Sequence, residues 1–520
     1  MRIDHPDSQS VLATPDRTEA VSDRILVWHR DDLRVRDNPA LAAAAEDGDP
    51  LPVFVFDPRF YDSPRVCDGR LEFLHESLAQ LDTAYGESGG GLALRHGDPR
   101  ALLRELLDSD SIDRLHLNAT TTAGYARERD HDIAEWDDVT VFSEDGIVRE
   151  GPSRENWREQ AEAYFEAEPR EPPASIDGPI PSSVTIDESE AEYDVDSSKE
   201  RRFRGGCQRA RARLETFVEN IGDYVGGISP PAAAESETSH LSAYFALGCL
   251  SLREAAQYAD EHGFGRGLEL FRTRLFWNRH FTQKLADNPD ATEHAINPVF
   301  RGMNRKTHDA ELVEAWKRGQ TGFPLVDASM RALRETGWLN FRMRAMCATF
   351  YSYVLRCWWK VGADWYYRHL VDADPAINYQ QWQMQSGLVG VHPLRIYNPR
   401  KQVRENDPNG EFIRTYVPEL RPFPDEHLDR PEKAPLSVQA DCGVRIGEDY
   451  PYPVVDFETR RTEARTAWGD LADRAREAIA DPEIRRRASF SEGRDRSASG
   501  VEDGTPPRTD EQAGLDEFGS

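Results

Sequence analysis

The chain has 520 residues, a hydrophobic content of 38% and a net charge of −29, with 93 acidic against 64 basic side chains. That length calls for two or three domains, and the hydrophobic share is enough to build their cores. The longest apolar runs fall far short of a membrane span, the N-terminus lacks an apolar signal core, and the six cysteines form no CxxC pair, which argues against a membrane protein, a secreted disulfide scaffold and a cysteine metal site. A cytoplasmic monomer with reduced thiols is expected. The acid is spread over both halves, which fits a salt-rich cytoplasm where screening removes the self-repulsion within a few ångströms. Any nucleic-acid contact must then come from a local basic patch.

Residues 1–24 read as a disordered extension. The run Ile25–His29 opens a series of short apolar segments at Leu51–Phe56, Leu92–His96, Leu115–Asn118 and Val139–Phe142. Helical stretches lie between them, starting at Asn38-Pro39 and continuing at Gly69–Tyr85, Pro99–Leu107 and Ala123–Trp136. This alternation predicts an α/β domain over 25–150 with a doubly wound parallel sheet. Residues 151–204 read as a linker, because Glu168–Asp196 is rich in Pro, Ser, Glu and Asp and has no apolar period. From 205 to 460 the pattern is helices only, at Leu268–Leu285, Asp309–Lys317, Pro324–Glu335 and Asn340–Lys360, with Ser251 and Glu254 as a capping box. A C-terminal helix follows near Arg461–Ala480, and from Ser489 the tail is Ser-, Gly- and acid-rich, a composition that cannot bury a core.

One stretch in the helical half is unusual. Asp374 before Pro375 is an N-cap with proline at the first helical position, and Gly387 is the stop. Inside this helix Asn378 and Trp382 are four apart, on one face, behind the carboxylates of Asp372 and Asp374. Thr238-Ser-His-Leu-Ser242 puts hydroxyls before a helix, a seat for a pyrophosphate or a plain capping cluster. Arg342 and Arg344 are about 200° apart on a helix, so one faces outward and the other inward, where Asp372 or Asp374 can pair with it. Arg395, Arg400, Lys401 and Arg404 form a basic cluster that is either a phosphate patch or charge balance.

Taken together these stretches resemble the cryptochrome/photolyase family. Thr238–Ser242 resembles its T-S-x-L-S segment. Thr321-Gly-Phe-Pro with Asp327-Ala-Ser-Met-Arg331, Thr336-Gly-Trp338 with Arg342 and Arg344, and Arg395-Ile-Tyr-Asn-Pro399 resemble later motifs of its FAD domain. Val27-Trp-His-Arg30 with Asp32-Leu-Arg34 and Asp37-Asn38 resembles the opening of its antenna domain, and the likeness runs in order over roughly 25–456.

The resemblance implies an N-terminal antenna domain carrying a pterin or deazaflavin, a helical domain holding FAD, and pyrimidine-dimer DNA as the partner. Electron transfer from excited, reduced flavin would repair the dimer; the alternative is a cryptochrome-type blue-light receptor without repair. It implies cofactor contacts from Tyr224, Thr238, Ser239, His240, Leu241, Ser242, Phe271, Arg274, Asn278, Arg344, Asp372, Ala373, Asp374 and Asn378. It places DNA contacts at Trp277, Phe341, Arg342, Met384 and Gln402. Asn378 would face flavin N5, and Trp382 with Trp359 would relay electrons. The outermost relay tryptophan is missing near Asn304-Arg-Lys306, leaving Trp316, Trp358 or Tyr351 as substitutes. The chain departs from the repair pattern at the substrate pocket, with Arg274 for a carboxylate, Phe341 for an asparagine, Ala345 for a methionine and Met384 for a tryptophan.

Overall fold

Five short strands pair in parallel in the computed structural model, which describes residues 23–488 apart from 110–111, 150–155, 177–181, 197–198, 200–202 and 391–393. The expected N-terminal extension, up to residue 22, and the tail from 489 lie outside the described residues. The elements of the first domain are β1 (Asp23–His29), α1 (Pro39–Asp47), β2 (Gly48–Phe56), α2 (Asp68–Glu87), β3 (Ala93–His96), α3 (Pro99–Leu107), β4 (Arg114–Asn118), α4 (Gly124–Ala134) and β5 (Val139–Phe142). The sheet order is β3-β2-β1-β4-β5. Central β1 pairs on both edges, with Val27 opposite Pro52 and His116. Its apolar run has no alternation because both faces are covered. Leu26 and Trp28 enter one core with Val53, Leu115 and Ile133, while Ile25 and Val27 enter another with Phe54 and Phe56. That second core continues into the helical half through Leu214, Phe217, Tyr244 and Phe271.

The segment read as a linker contains α5 (Trp157–Glu166) and α6 (Ile186–Glu192), which opens on a complete capping box between Thr185 and Glu188. Ile186, Tyr193 and Val195 pack against the shared core. These apolar residues are too sparse to show a period, yet each meets a surface already built by other elements. The helical half contributes α7 (Cys207–Glu219), α8 (Gly265–Asp287), α9 (Pro324–Thr336), α10 (Phe341–Thr349), α11 (Trp359–His369), α12 (Pro375–Gln385) and α13 (Pro399–Asn406). The expected single helix Asn340–Lys360 is therefore broken. A π-helical turn over Phe350–Val354 follows α10, and Arg356 takes a left-handed φ of 54° before α11 starts. The C-terminal helix divides as well, into α14 (Phe457–Gly469), α15 (Ala472–Ala480) and α16 (Pro482–Ala488). The Ser251 side chain accepts from Glu254 N at 3.1 Å, but Glu254 turns its carboxylate to Arg36 and Arg211, so the capping box is half made. No helix among the described residues is long and apolar enough to cross a membrane.

The two halves are locked by buried polar contacts. Arg253 grips Asp37 through Nε at 2.8 Å, with both side chains almost fully buried. Gln283 on α8 exchanges two 2.8 Å hydrogen bonds with the backbone of Val148. At the same seam, a Cβ on Gly248 would come 2.1 Å from the carbonyl oxygen of Asp31, so only glycine fits. Burial pushes the Asp31 carboxyl up to about 6 against the pull of Arg30, and one of its oxygens has no partner. A folded-state value above the unfolded one means that the native state holds the extra proton between pH 3.8 and about 6, so stability falls as pH rises through that window. Asp31→Asn should therefore raise the thermal midpoint at pH 8 and leave it nearly unchanged at pH 4. Equal shifts at both pH values would show that Asp31 is not strained by its charge.

Candidate cofactor site

The site is built around α12. The Asp374 side chain accepts from Ile377 N at 3.0 Å and Pro375 follows, as the capping pattern predicts. Gly387 at φ 65° closes the far end. Asn378 and Trp382 are both buried and both line one cavity of about 280 Å³. This cavity lies between α12, α8, α10 and the Tyr224–Ala246 region. Burial pushes the Asp374 carboxyl up, countered by the backbone N–H groups it caps.

Asn378 Nδ2 donates to the Ala363 carbonyl at 3.0 Å. A carbonyl can only accept, so the amide cannot flip, and its oxygen is the end left for the cavity. Arg344 donates from Nε to Leu339 O at 2.7 Å and from Nη2 to Asp372 Oδ2 at 2.8 Å. Arg342 turns the other way, to Ser229 Oγ at 3.3 Å and the Tyr397 ring. This is the inward–outward split that the helical spacing requires. The other oxygen of Asp372, Oδ1, is buried without a hydrogen-bond partner. Such an atom costs free energy unless a bound group supplies the missing donor.

Across the cavity stand Thr238, Ser239, His240 and Ser242, with His240 in the left-handed region at φ 50° and its ring 4.3 Å from that of Trp338. Ser242 begins a helix only five residues long. Tyr224, Phe271, Arg274 and Asn278 line the same space, as do Trp277 and Phe341. Leu241 is fully buried beside them, and Ala373 sits half-buried between the two acids. Neither is among the cavity-lining residues. Met384 joins the apolar cluster of Trp277, Phe281 and Ile377 instead. Gln402 is buried on α13, accepting from Asn406 Nδ2 at 3.1 Å, away from the cavity wall. Sequence reasoning missed Asn340, Tyr366, Gln381 and Gln385. The last two were legible, since 381 and 385 fall on the face of Asn378 and Trp382 at helical spacing.

Trp382 is ringed by Tyr366 at 5.1 Å, Tyr351 at 5.7 Å and Trp316 at 6.1 Å. Trp359 lies in the same core at 4% exposure but is not among the rings touching Trp382. Of the two readings of the basic cluster, the ion pairs fit charge balance: Arg400 pairs with Glu432 at 2.8 Å, Arg404 with Asp429 and Lys401 with Glu405 at 3.3 Å. Arg395 lies 5.9 Å from the Tyr397 ring.

Gly362 on α11 lets that helix approach the indole of Trp382, where a Cβ would stand 2.4 Å from Cη2. Gly362→Ala should cost about 1–3 kcal/mol as overpacking and displace the ring. The expected readouts are a lower thermal midpoint and altered Trp382 fluorescence, and an unchanged spectrum would refute the contact.

Hydroxyls lining the cavity, an inward Arg–Asp pair, an acid oxygen lacking a donor and a fixed amide acceptor suit a large polar cofactor with a heteroaromatic end. The donor set fits FAD: Asp372 Oδ1 can take a hydroxyl, and Thr238, Ser239 and Ser242 can meet a diphosphate. The architecture and cavity thus define a two-domain flavin-binding protein with its cofactor in the helical half. Residues 271–470 match the FAD-binding domain of DNA photolyase, and residues 25–148 match the DNA photolyase family model. The chain is 31% identical to a cryptochrome DASH of Natronomonas pharaonis, covering 84% of this chain and 99% of that one. It is also 31% identical to a deoxyribodipyrimidine photo-lyase of Agrobacterium fabrum, over 85% and 97% of the two chains. A bacterial class III photolyase from Agrobacterium tumefaciens superposes with a TM-score of 0.77 at 28% identity, covering 88% of this chain and all of that one. The chain belongs to the DNA photolyase/cryptochrome family.

Proposed function

We propose that this protein is a light-driven flavoenzyme that repairs UV-induced pyrimidine dimers in DNA. The observation that carries this reading is the fixed amide of Asn378, whose oxygen is held toward the cavity by the Nδ2 contact to Ala363. An amide acceptor favours a protonated flavin N5 and has no acidic proton of its own to shuttle, which suits an enzyme that works from reduced flavin. FAD in this cavity would supply light absorption and one-electron chemistry. Arg344 and Asp372 neutralise each other beside it, and Asp372 Oδ1 orients a hydroxyl. Trp382 passes electrons inward, with Trp359 the second relay member that the family implies. The half-exposed Trp277 and Phe341 give a base extruded from the duplex a surface to stack on. Arg342 and Arg395 flank the Tyr397 ring, where they can meet backbone phosphates.

A second reading, a cryptochrome-type light sensor, is favoured by one feature: Arg274 and Phe341 stand at the mouth, where family repair enzymes carry a carboxylate and an asparagine. Illuminating the reduced holoprotein with an oligonucleotide carrying a cyclobutane or (6-4) dimer separates them. Loss of the dimer supports repair, and its persistence under saturating light leaves the sensor. Repair does not depend on an antenna. A pterin or deazaflavin is expected from the family alone, and the carboxyl ends of β1 and β4 are filled by Arg30 and Arg129, 4.6 and 5.2 Å from the Trp28 ring and paired with Asp130 and Asp57.

A further inference from the structure

Asn278 and Arg279 are neighbours on α8, and only Asn278 lines the cavity. Arg279 donates to Asn278 Oδ1 from Nη2 at 2.7 Å and from Nε at 3.2 Å. A guanidinium can only donate, so the amide end that meets it is the oxygen, and the amide cannot flip. Asn278 Nδ2 has no partner among the described residues and is the end left for the cavity.

Arg279 is held in turn by the N-terminal half. Its Nη1 donates to the Asp145 carbonyl at 3.2 Å and lies 3.9 Å from the Asp145 carboxylate. Arg149 closes on the same carboxylate with two 2.7 Å hydrogen bonds. One turn further along α8, Gln283 makes its paired bonds with the Val148 backbone. Residues 279 and 283 share the face of α8 that meets the 145–148 segment, and Asn278 stands about 100° round from it, toward the cavity.

The charge of Arg279 also reaches the site. Burial pushes the Asp374 carboxyl up, and Arg279 is the cation that pulls it back. Two routes therefore lead from Arg279 to a bound cofactor, one through the Asn278 amide and one through the Asp374 charge. The contacts favour the first, because two hydrogen bonds fix the amide and none among the described residues joins Arg279 to Asp374. FAD is rich in acceptors, in its phosphate oxygens, ring nitrogens and carbonyls. A loose amide would offer these either end; the held amide offers its donor.

We propose that Arg279 is a positioning residue for the flavin cofactor: anchored on Asp145, it holds the Asn278 amide so that Nδ2 donates to an acceptor atom of FAD. The proposal rests on the FAD reading of the cavity. It ties cofactor binding to the N-terminal half through residues that lie outside the cavity.

The test is a titration of flavin-free, full-length protein with FAD, followed by flavin fluorescence. Asn278→Ala should weaken binding about tenfold, the loss of one hydrogen bond. Arg279→Leu should weaken it roughly threefold to tenfold, the cost of ordering one loose side chain on binding. Arg279→Lys should stay within about twofold of wild type, because an ammonium also donates only and still selects Oδ1. The double variant Asn278→Ala/Arg279→Leu should bind FAD as Asn278→Ala does, since no amide remains to be oriented. Thermal melts of the flavin-free proteins separate these effects from loss of fold. If Arg279→Leu does not fold, Arg279→Gln replaces it with the same expectation, because an amide donates or accepts and cannot select one end of Asn278.

Losses that add in the double variant overturn the proposal and assign the effect of Arg279 to the Asp374 charge. A folded Arg279→Leu protein that binds FAD like wild type overturns it as well. Wild-type protein that takes up no FAD would overturn the cofactor reading and this proposal together, whereas additive losses in a chain that binds FAD overturn the proposal alone.

Discussion

Arg344→Ala should destabilise the helical domain by about 3–5 kcal/mol, the cost of leaving a buried carboxylate without its counter-ion. The reason is the asymmetry of the pair. Arg344 keeps 21% of its side chain exposed, but Asp372 keeps 4%. Asp372 has one oxygen on Arg344 and the other on nothing. Removing the guanidinium therefore strands a charge rather than merely losing a hydrogen bond. The thermal midpoint of flavin-free protein should fall on the order of 10 °C. Asp372→Asn should cost less, since the arginine left behind can reach water. The double variant Arg344→Ala/Asp372→Asn should recover part of the loss of Arg344→Ala, because no uncompensated charge remains, and thermal denaturation of all four proteins measures that coupling. Strict additivity, or a loss below about 1 kcal/mol in Arg344→Ala, would mean that water already solvates Asp372.

Much of this site was legible because it depends on local periodicity. The Asp374–Pro375 cap, the shared face of Asn378 and Trp382 and the divergence of Arg342 from Arg344 all follow from 3.6 residues per turn, and the structure reproduces each. The parallel sheet was legible for a related reason: strands buried on both faces leave continuous apolar runs. What was hidden depends on partners distant in sequence. Arg400 and Arg404 look like a phosphate patch until Glu432 and Asp429, roughly thirty positions on, come back to neutralise them. The break between α10 and α11 is set by a π-helical turn and a left-handed arginine, neither of which has a side-chain signature. The helices at Trp157 and Ile186 exist because a core assembled elsewhere accepts their few apolar side chains. Arg274, Trp277 and Phe341 line one cavity, and since Phe341 is sixty-seven positions from Arg274, only the fold shows that the guanidinium lies within 5.4 Å of both ring centroids.

Trp382→Phe should leave the fold and FAD binding intact while slowing light-driven reduction of the bound flavin by an external thiol about tenfold or more, an added barrier of about 1.4 kcal/mol or greater. Phenylalanine keeps the apolar contacts of a residue that is 2% exposed, but its ring is far harder to oxidise than indole. The surroundings of Trp382 indicate which of the rings touching it can share the hole on its way to Trp359. Tyrosine is oxidised readily only if its proton leaves at the same time. Burial pushes the Tyr351 phenol far above its ordinary value, and its hydroxyl has no acceptor. Tyr366 is also pushed up by burial, and its hydroxyl meets the Arg344 carbonyl at 3.5 Å and the Cys347 thiol, which burial keeps protonated, so neither takes up its proton. An indole can be oxidised without losing a proton, so the unpartnered N–H of Trp316 is no obstacle. Trp316 touches the Trp382 ring at 6.1 Å and stacks on Tyr366 at 13°. Trp316→Phe should therefore also slow photoreduction, whereas Tyr351→Phe and Tyr366→Phe should not. Time-resolved absorption should show a tryptophan radical and no tyrosyl radical. A photoreduction rate unchanged in Trp382→Phe would remove this residue from the electron path, and a tyrosyl signal would show that a buried phenol finds a proton acceptor when the neighbouring indole is oxidised.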